Sequence, residues 1–353
     1  MQDYTAAKKL QIASWPGYGA SHNPFVRLFL DGLAEAGCDI VSIDKVEYFP
    51  TKAPDIVLLH WAERIFGESQ SRWQMIRKIV KLLRALSKLP QTTKVVWLVH
   101  NLAPHDARKL QRIIWPRYLR QLIRHVDAIL TLSPGTVTQV QAALPALAGL
   151  PSQGLWHPSY PDASVSESVR LEARARYGWT QDEKVLGYCG QIRPYKGVED
   201  LLTAFLSTTD QNLRLFISGR PGRASFAEQL AKMASGDPRV ALDLRNLSNE
   251  EFKEALSVCD RVVAPFRDYL HSGSLVHALS ASCPILTPVT PFSASLKDYV
   301  GAAWVNTYDG TLTADILSDS AYTLPETDSP DLTAWDPITV GQQCVDFLTT
   351  LKG

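Results

Sequence analysis

The chain has 353 residues, 45% of them hydrophobic, with 36 Lys and Arg balanced by 36 Asp and Glu; at roughly 100–200 residues per domain this is a soluble, two-domain composition. No apolar run reaches the ~18 residues of a spanning helix, and the start MQDYTAAKKL lacks the apolar stretch of a secretory signal, so the expected location is the cytoplasm. Five widely spaced cysteines (Cys38, Cys189, Cys259, Cys283, Cys344), with no C-x-x-C pair and no Cys/His cluster, argue against a disulfide scaffold and a structural metal.

Short β-rich runs alternate with longer helical stretches, the pattern of α/β units around parallel sheets. In the first half, strands are predicted at 10–15, 39–43, 55–60, 94–99 and 127–132. Between them, 72–89 has helical periodicity, with Trp73, Ile76, Val80, Leu83 and Leu86 on one stripe. The balanced charge conceals a division. Residues 1–160 carry 19 Lys and Arg against 11 Asp and Glu, net +8, and 161–353 carry 17 against 25, net −8. Much of the excess lies in 72–88 and 107–124, each with six basic residues and no acid. Such segments read either as amphipathic helices with a solvated basic face or as a patch for anionic lipid headgroups. No nucleic-acid motif accompanies them.

The Pro-, Ser- and Gly-rich stretch 145–168 reads as an interdomain linker. After it the α/β pattern restarts, with strands at 184–190, 213–219, 239–244 and 260–265. The intervening helices are 197–205, 226–234, 248–259 and 273–281, and Ser248 with Glu251 has the spacing of a capping box. The expected division is 1–155, 156–335, and a terminal helix 336–353 that packs on the second domain or crosses back to the first. No short-period repeat is present, and two consecutive Rossmann-like domains remain.

Ligands of open α/β sheets bind beyond the carboxyl ends of the strands, so the residues that follow each strand are the candidates. After the first come Gly17, Gly19 and Asn23, a glycine loop before a helix that can receive an anion but lacks the dinucleotide spacing, counted here among the acceptor- or sugar-positioning candidates. His60 and Trp61 end another strand, where an aromatic beside a polar group suits a sugar face as well as a core. The loop HNLAPHD places His100, Asn101, His105 and Asp106 together. In the second half, GQIRPYKG brings Gly190, Gln191, Arg193 and Lys196 to a helix start, the charge a diphosphate leaving group requires. Ser272, Gly273 and Ser274 open another helix whose free N–H groups can hold phosphate oxygens, and Arg220 follows a third strand.

The order of these motifs resembles a GT-B glycosyltransferase across nearly the whole chain: two Rossmann-like domains with parallel sheets facing across a cleft. More narrowly, HNLAPHD, QIRPYKGVEDLL and HSGSLVHALSASCPILTP resemble bacterial exopolysaccharide glycosyltransferases of the xanthan type, which move mannose from GDP-mannose to a polyprenyl-diphosphate-linked oligosaccharide. NPF at 23–25, LHW at 59–61 and GAAWVNTYDG at 301–310 support the narrower likeness. The resemblance implies that Lys196 and Arg193 hold the donor diphosphate, aided by the Ser272–Ser274 turn. It departs from the retaining enzymes of the superfamily, whose Glu-x7-Glu motif corresponds here to Tyr269 and His277, while their phosphate-binding arginine aligns with Gln191; Tyr269 and Gln191 stay among the donor-binding candidates.

Mannosyltransferases of this type invert, which calls for a general base on the acceptor hydroxyl; Asp106 and His105 are the candidates, with His100 orienting the sugar. No D-x-D pair stands at a strand end, so no metal or other cofactor is expected. The implied partners are a lipid-linked saccharide acceptor, the inner leaflet of the membrane bound through 72–88 and 107–124, and other polysaccharide-assembly enzymes. A UDP-sugar donor is the alternative on the same scaffold. A sugar-nucleotide epimerase and a catalytically inactive partner subunit of this fold are the competing readings, and HNLAPHD with Arg193 and Lys196 argues against the second.

Overall fold

The computed structural model describes residues 9–20, 24–45, 53–67, 69, 71–104, 109–267 and 269–352. They form two compact units, one of residues 1–158 with 333–353 and the other of residues 159–332.

In chain order the first unit contains β1 (Gln11–Trp15), α1 (Pro24–Glu35), β2 (Asp39–Ser42), β3 (Ile56–His60), α2 (Arg64–Gly67), α3 (Arg72–Leu86), β4 (Lys94–Leu98), α4 (Lys109–Ile123), β5 (Ala128–Thr131), α5 (Thr136–Ala143) and β6 (Ser152–Gly154). The strands pair in parallel in the order β2-β1-β3-β4-β5-β6. A parallel sheet is covered on both faces, which is why β3 to β5 are nearly uninterrupted Val, Ile and Leu. One face, with Ile12, Ile56, Leu58, Val96, Leu98, Ala128 and Leu130, packs on α1. The steps from β3 to β4 and from β4 to β5 run the same way across the sheet, so right-handed crossovers set α3 and α4 side by side on the opposite face.

Two expectations are corrected in this unit. The stretch 145–168 is not a plain linker, because Ser152–Gly154 forms β6 and pairs with β5. Three small polar residues carry no hydrophobic pattern, and the neighbouring strand supplies the pairing. On α3 the buried stripe is Met75, Ile79, Leu82 and Leu86, while Trp73, Ile76 and Val80 face outward. At 3.6 residues per turn the first four stay on one meridian, whereas Trp73 and Leu86 lie about 140° apart.

The second unit contains α6 (Glu167–Ala175), β7 (Lys184–Cys189), α7 (Val198–Leu206), β8 (Leu213–Ser218), α8 (Ala224–Ala234), β9 (Val240–Asp243), α9 (Asn249–Val258), β10 (Arg261–Val263), α10 (Gly273–Ser280), β11 (Ile285–Pro288), α11 (Pro291–Val300), β12 (Val305–Tyr308) and α12 (Ala314–Tyr322). Its parallel sheet runs β12-β11-β10-β7-β8-β9. The Ser248–Glu251 capping box is present at the start of α9. Asp260 ties three segments together: its carboxylate accepts from the Val185 amide at 2.7 Å and from Arg170 at 2.6 Å and forms an ion pair with Arg174 at 2.8 Å, and Arg174 is fully buried.

The last helix, α13 (Pro337–Thr350), belongs to the first unit and lies against α1, adding Val340, Cys344 and Leu348 to its core. The two helices cross where Gly32 and Gly341 meet; a Cβ on either would overlap backbone of the other helix.

Candidate active site

In the second unit three strand-end loops converge. The chain leaves β7 through Gly190 at φ +147° and β8 through Gly219 at φ +140°. A Cβ on Gly219 would overlap the Gly190 carbonyl, so this approach of two backbones requires glycine. The loops are then joined by bonds from the Ile192 amide to the Arg220 carbonyl and from the Gly222 amide to the Ile192 carbonyl, each 2.9 Å. The Arg193 side chain lies over Gly222, and Arg220 is exposed at the edge. Gly190 also faces Ser274 in the first turn of α10, so the Ser272–Ser274 turn joins the cluster. Ser272 and Ser274 share a hydroxyl contact of 3.0 Å, and Ser272 makes no side-chain cap bond. The first amides of α10 have no carbonyl one turn earlier to bond to, and they carry the positive end of the helix dipole.

Lys196 ends a short 3-10 turn of residues 194–196 before α7, with its ammonium 3.6 Å from the centroid of the Phe266 ring. Burial pushes its pKa down to about 8. Among the described residues no carboxylate pairs with it. The nearby acid Asp200 is instead held by Arg267, through bonds of 2.6 and 2.8 Å. A desolvated cation without a carboxylate suits an arriving anion. The Gln191 carbonyl accepts from the Tyr188 hydroxyl at 2.6 Å, while the Gln191 side chain is exposed.

Tyr269 is buried and His277 half-buried, each packed against neighbours within the second unit. The Tyr269 hydroxyl lies 3.1 Å from that of Thr287 and 3.3 Å from that of Thr290. The His277 ring stacks on Tyr160 with centroids 4.0 Å apart.

In the first unit the ends of β3 and β4 bring four sequence candidates together. His60 Nδ1 lies 3.3 Å from His100 Nε2, and Trp61 stacks on His100 at 3.9 Å. Trp61 has φ +41°, an unusual backbone state for a bulky residue, and it follows β3 directly. His60 is fully buried, and burial lowers its pKa to about 3, so it is a neutral ring that orients His100. Phe25 packs edge-on to both Trp61 and His100, and His157 closes the group from below Phe25.

Glu63, which the sequence reading passed over, is part of this cluster. Its Oε1 accepts from Asn101 Nδ2 at 2.6 Å, which ties the segment after β3 to the start of the HNLAPHD loop. Burial raises its pKa to about 7, against the lowering effect of the Asn101 bond. The available signal was an acid three residues beyond His60, at a strand end otherwise flanked by bases.

The glycine loop after β1 behaves differently from the expectation of an open anion site. The Gly17 amide bonds the Ile43 carbonyl at 2.9 Å, the Tyr18 amide bonds Ser42 Oγ at 2.9 Å, and the Gly19 amide bonds Asp44 Oδ1 at 3.1 Å. Its donors hold the end of β2. Asn23, His105 and Asp106 lie outside the described residues. Among the described residues no group of three His, Cys, Asp or Glu side chains is arranged to hold a metal ion.

Comparison with known proteins bears on this arrangement. Residues 169–315, all within the second unit, match the family of glycosyl transferases group 1. The chain is 30% identical over 294 residues to a GDP-mannose:glycolipid 4-beta-D-mannosyltransferase of Xanthomonas campestris pv. campestris, covering 82% of this chain and 77% of that protein. The chain belongs to the GT-B glycosyltransferases.

Solved structures share the transferase's fold at low identity. HepE of Anabaena, in complex with UDP and glucose, superposes with a TM-score of 0.59 at 12% identity over 97% of each chain. Sucrose-phosphate synthase of Thermosynechococcus elongatus gives 0.63 at 13% identity, covering 98% of this chain and 95% of that one. The match to glycosyl transferases group 1 spans every donor-side candidate of the transferase, from Gly190 to Ser274.

Proposed function

We propose that this glycosyltransferase moves mannose from GDP-mannose to a polyprenyl-diphosphate-linked saccharide, with inversion to a β-linkage, at the cytoplasmic face of the membrane during exopolysaccharide assembly. The relative named for GDP-mannose and glycolipid supports the donor and acceptor classes. The observation that carries the reading is Lys196: a desolvated ammonium over Phe266, with no carboxylate partner among the described residues, in the loop whose Gly190 faces Ser274 of α10.

In this reading the diphosphate lies between Lys196 and the Ser272–Gly273–Ser274 turn, with Arg193 on its flank and Arg220 toward ribose or base. Charge that develops on the departing GDP is met by the ammonium, the guanidinium and the helix dipole. On the first unit His100 and Trp61 hold the acceptor sugar. Asn101, anchored by Glu63, stands four and five residues before His105 and Asp106 in the HNLAPHD motif. Asp106 takes the proton of the attacking hydroxyl as the new bond forms and the bond to the diphosphate breaks.

The test is calorimetric titration with GDP, UDP, GDP-mannose and UDP-glucose, with and without Mg²⁺. Selective GDP binding supports mannosyl transfer, and selective UDP binding moves the donor to a UDP-sugar. Binding of neither overturns the assignment in favour of a non-catalytic subunit.

A further inference from the structure

The outward face of α3 is unusual in composition. Opposite its buried meridian stand Trp73 and Val80, seven residues and hence about 20° apart, with Ile76 beside them. Their exposures are 68% for Trp73, 38% for Ile76 and 36% for Val80, and Ile113 on the neighbouring α4 is 57% exposed. Single exposed apolar side chains are ordinary; a ridge of three along one flank of the exposed face, next to its central arginines Arg77 and Arg84, is not. Arg72, Arg77, Lys81 and Arg84 line its two sides, and the Arg72 guanidinium already lies over the Trp73 ring at 5.2 Å. On α4 the outward positions repeat the pattern, with Ile113 and Pro116 among Arg112, Arg117, Arg120 and Arg124.

We infer that the α3–α4 face docks on anionic lipid by inserting the Trp73–Ile76–Val80 ridge, and Ile113 beside it, among the headgroups. This rests on the membrane-surface part of the proposed function and specifies how that surface is engaged. Charge alone would suffice for a solvated basic face, and a ridge of Trp, Ile and Val would then be a cost to solubility. Insertion gives each part a role. The apolar ridge leaves water, while the long basic side chains reach up to phosphate oxygens at the level where their stems remain in apolar contact. The complete lack of acids in 72–88 and 107–124 suits a surface of uniform negative charge better than a protein partner with mixed charge.

The full chain is tested by co-sedimentation with vesicles of phosphatidylcholine alone and of phosphatidylcholine with phosphatidylglycerol. The wild type binds the anionic vesicles, and part of that binding survives salt that screens surface charge. The triple variant Trp73→Ser, Ile76→Ser, Val80→Ser binds them at least about tenfold more weakly, and its remaining binding is fully salt-sensitive. Because the variant leaves the buried residues Met75, Ile79, Leu82 and Leu86 of α3 in place, GDP binding and circular dichroism stay as in the wild type. Equal vesicle affinity of variant and wild type overturns insertion, as does wild-type binding that vanishes entirely with salt. A change of oligomeric state in the variant, with vesicle binding intact, would reassign the ridge to a second copy of the chain and equally overturn the inference. Failure of the transferase reading would appear separately, as absence of nucleotide binding in a protein that still binds vesicles.

Discussion

The ammonium of Lys196 stands 3.6 Å above the ring of Phe266, and this pairing holds a cation in place without neutralising it. The aromatic face attracts the charge without supplying hydrogen bonds, so the three donors of the ammonium remain available to phosphate oxygens. Replacing Lys196 by Ala therefore lowers nucleoside-diphosphate affinity by roughly 10- to 100-fold, the loss of one charge-assisted bond, which titration calorimetry measures.

The same residue sets a pH dependence. Burial places the Lys196 pKa near 8, and a bound diphosphate raises it. Affinity for GDP is therefore full below about pH 8 and declines above it, where binding must first restore the proton. Calorimetry at about pH 8.5 in two buffers of different ionisation enthalpy reads proton uptake on binding; the Lys196→Ala variant abolishes it.

Gly219→Ala is expected to damage the donor loops. At φ +140° an L side chain is strained, and its Cβ overlaps the Gly190 carbonyl. Chemical denaturation should show a loss of about 1–3 kcal/mol, together with weakened GDP binding, because Gly190 also positions the loop beside Ser274.

Glu63 provides a titration with a defined sign. Its folded pKa of about 7 lies above the ordinary 4.5, so the folded state holds the proton more firmly than the unfolded chain. Its contribution is fully present below about pH 4.5 and is lost as pH rises through 7. Between about pH 5 and pH 8 the wild type should lose up to about 3 kcal/mol relative to Glu63→Gln, which retains an acceptor for Asn101. Glu63→Ala removes that acceptor; transfer falls while GDP affinity is unchanged, as kinetics and calorimetry together would show.

Asp106→Asn should abolish transfer and leave nucleotide affinity nearly intact. Near-normal turnover in a donor and acceptor assay removes Asp106 from the chemistry.

Asp260→Ala leaves Arg174 buried without its carboxylate and frees the Val185 amide. The second unit should lose about 3–5 kcal/mol by urea unfolding, with the first unit's transition unmoved.

How far the sequence carried these conclusions varies with the physics of each element. Strands β3, β4, β5 and β7 were legible because a parallel sheet buried on both faces demands continuous apolar runs. The donor loops were legible because glycine and cations directly follow such strands. The Lys196–Phe266 and Glu63–Asn101 pairs were not: each joins residues far apart in sequence, and only strand order makes them neighbours. Strand β6 is too short and polar to announce itself. On α3 two apolar stripes compete, and the sheet beneath, rather than the helix's own periodicity, selects Met75 to Leu86 over Trp73. The Gly17–Gly19 loop looked receptive only because Ser42 and Asp44 cannot be seen to occupy its amides.

The crossing of α1 and α13 through Gly32 and Gly341 has a consequence for biogenesis. During synthesis, α1 emerges before residues 159–332, and α13, the helix that covers its Phe29 and Leu33, emerges only after them. Until then the first unit keeps one apolar flank uncovered, while residues 159–332 can complete their own core. Residues 159–332 can therefore finish folding before the first unit does, and α1 of the nascent transferase stays open on one flank while they are made.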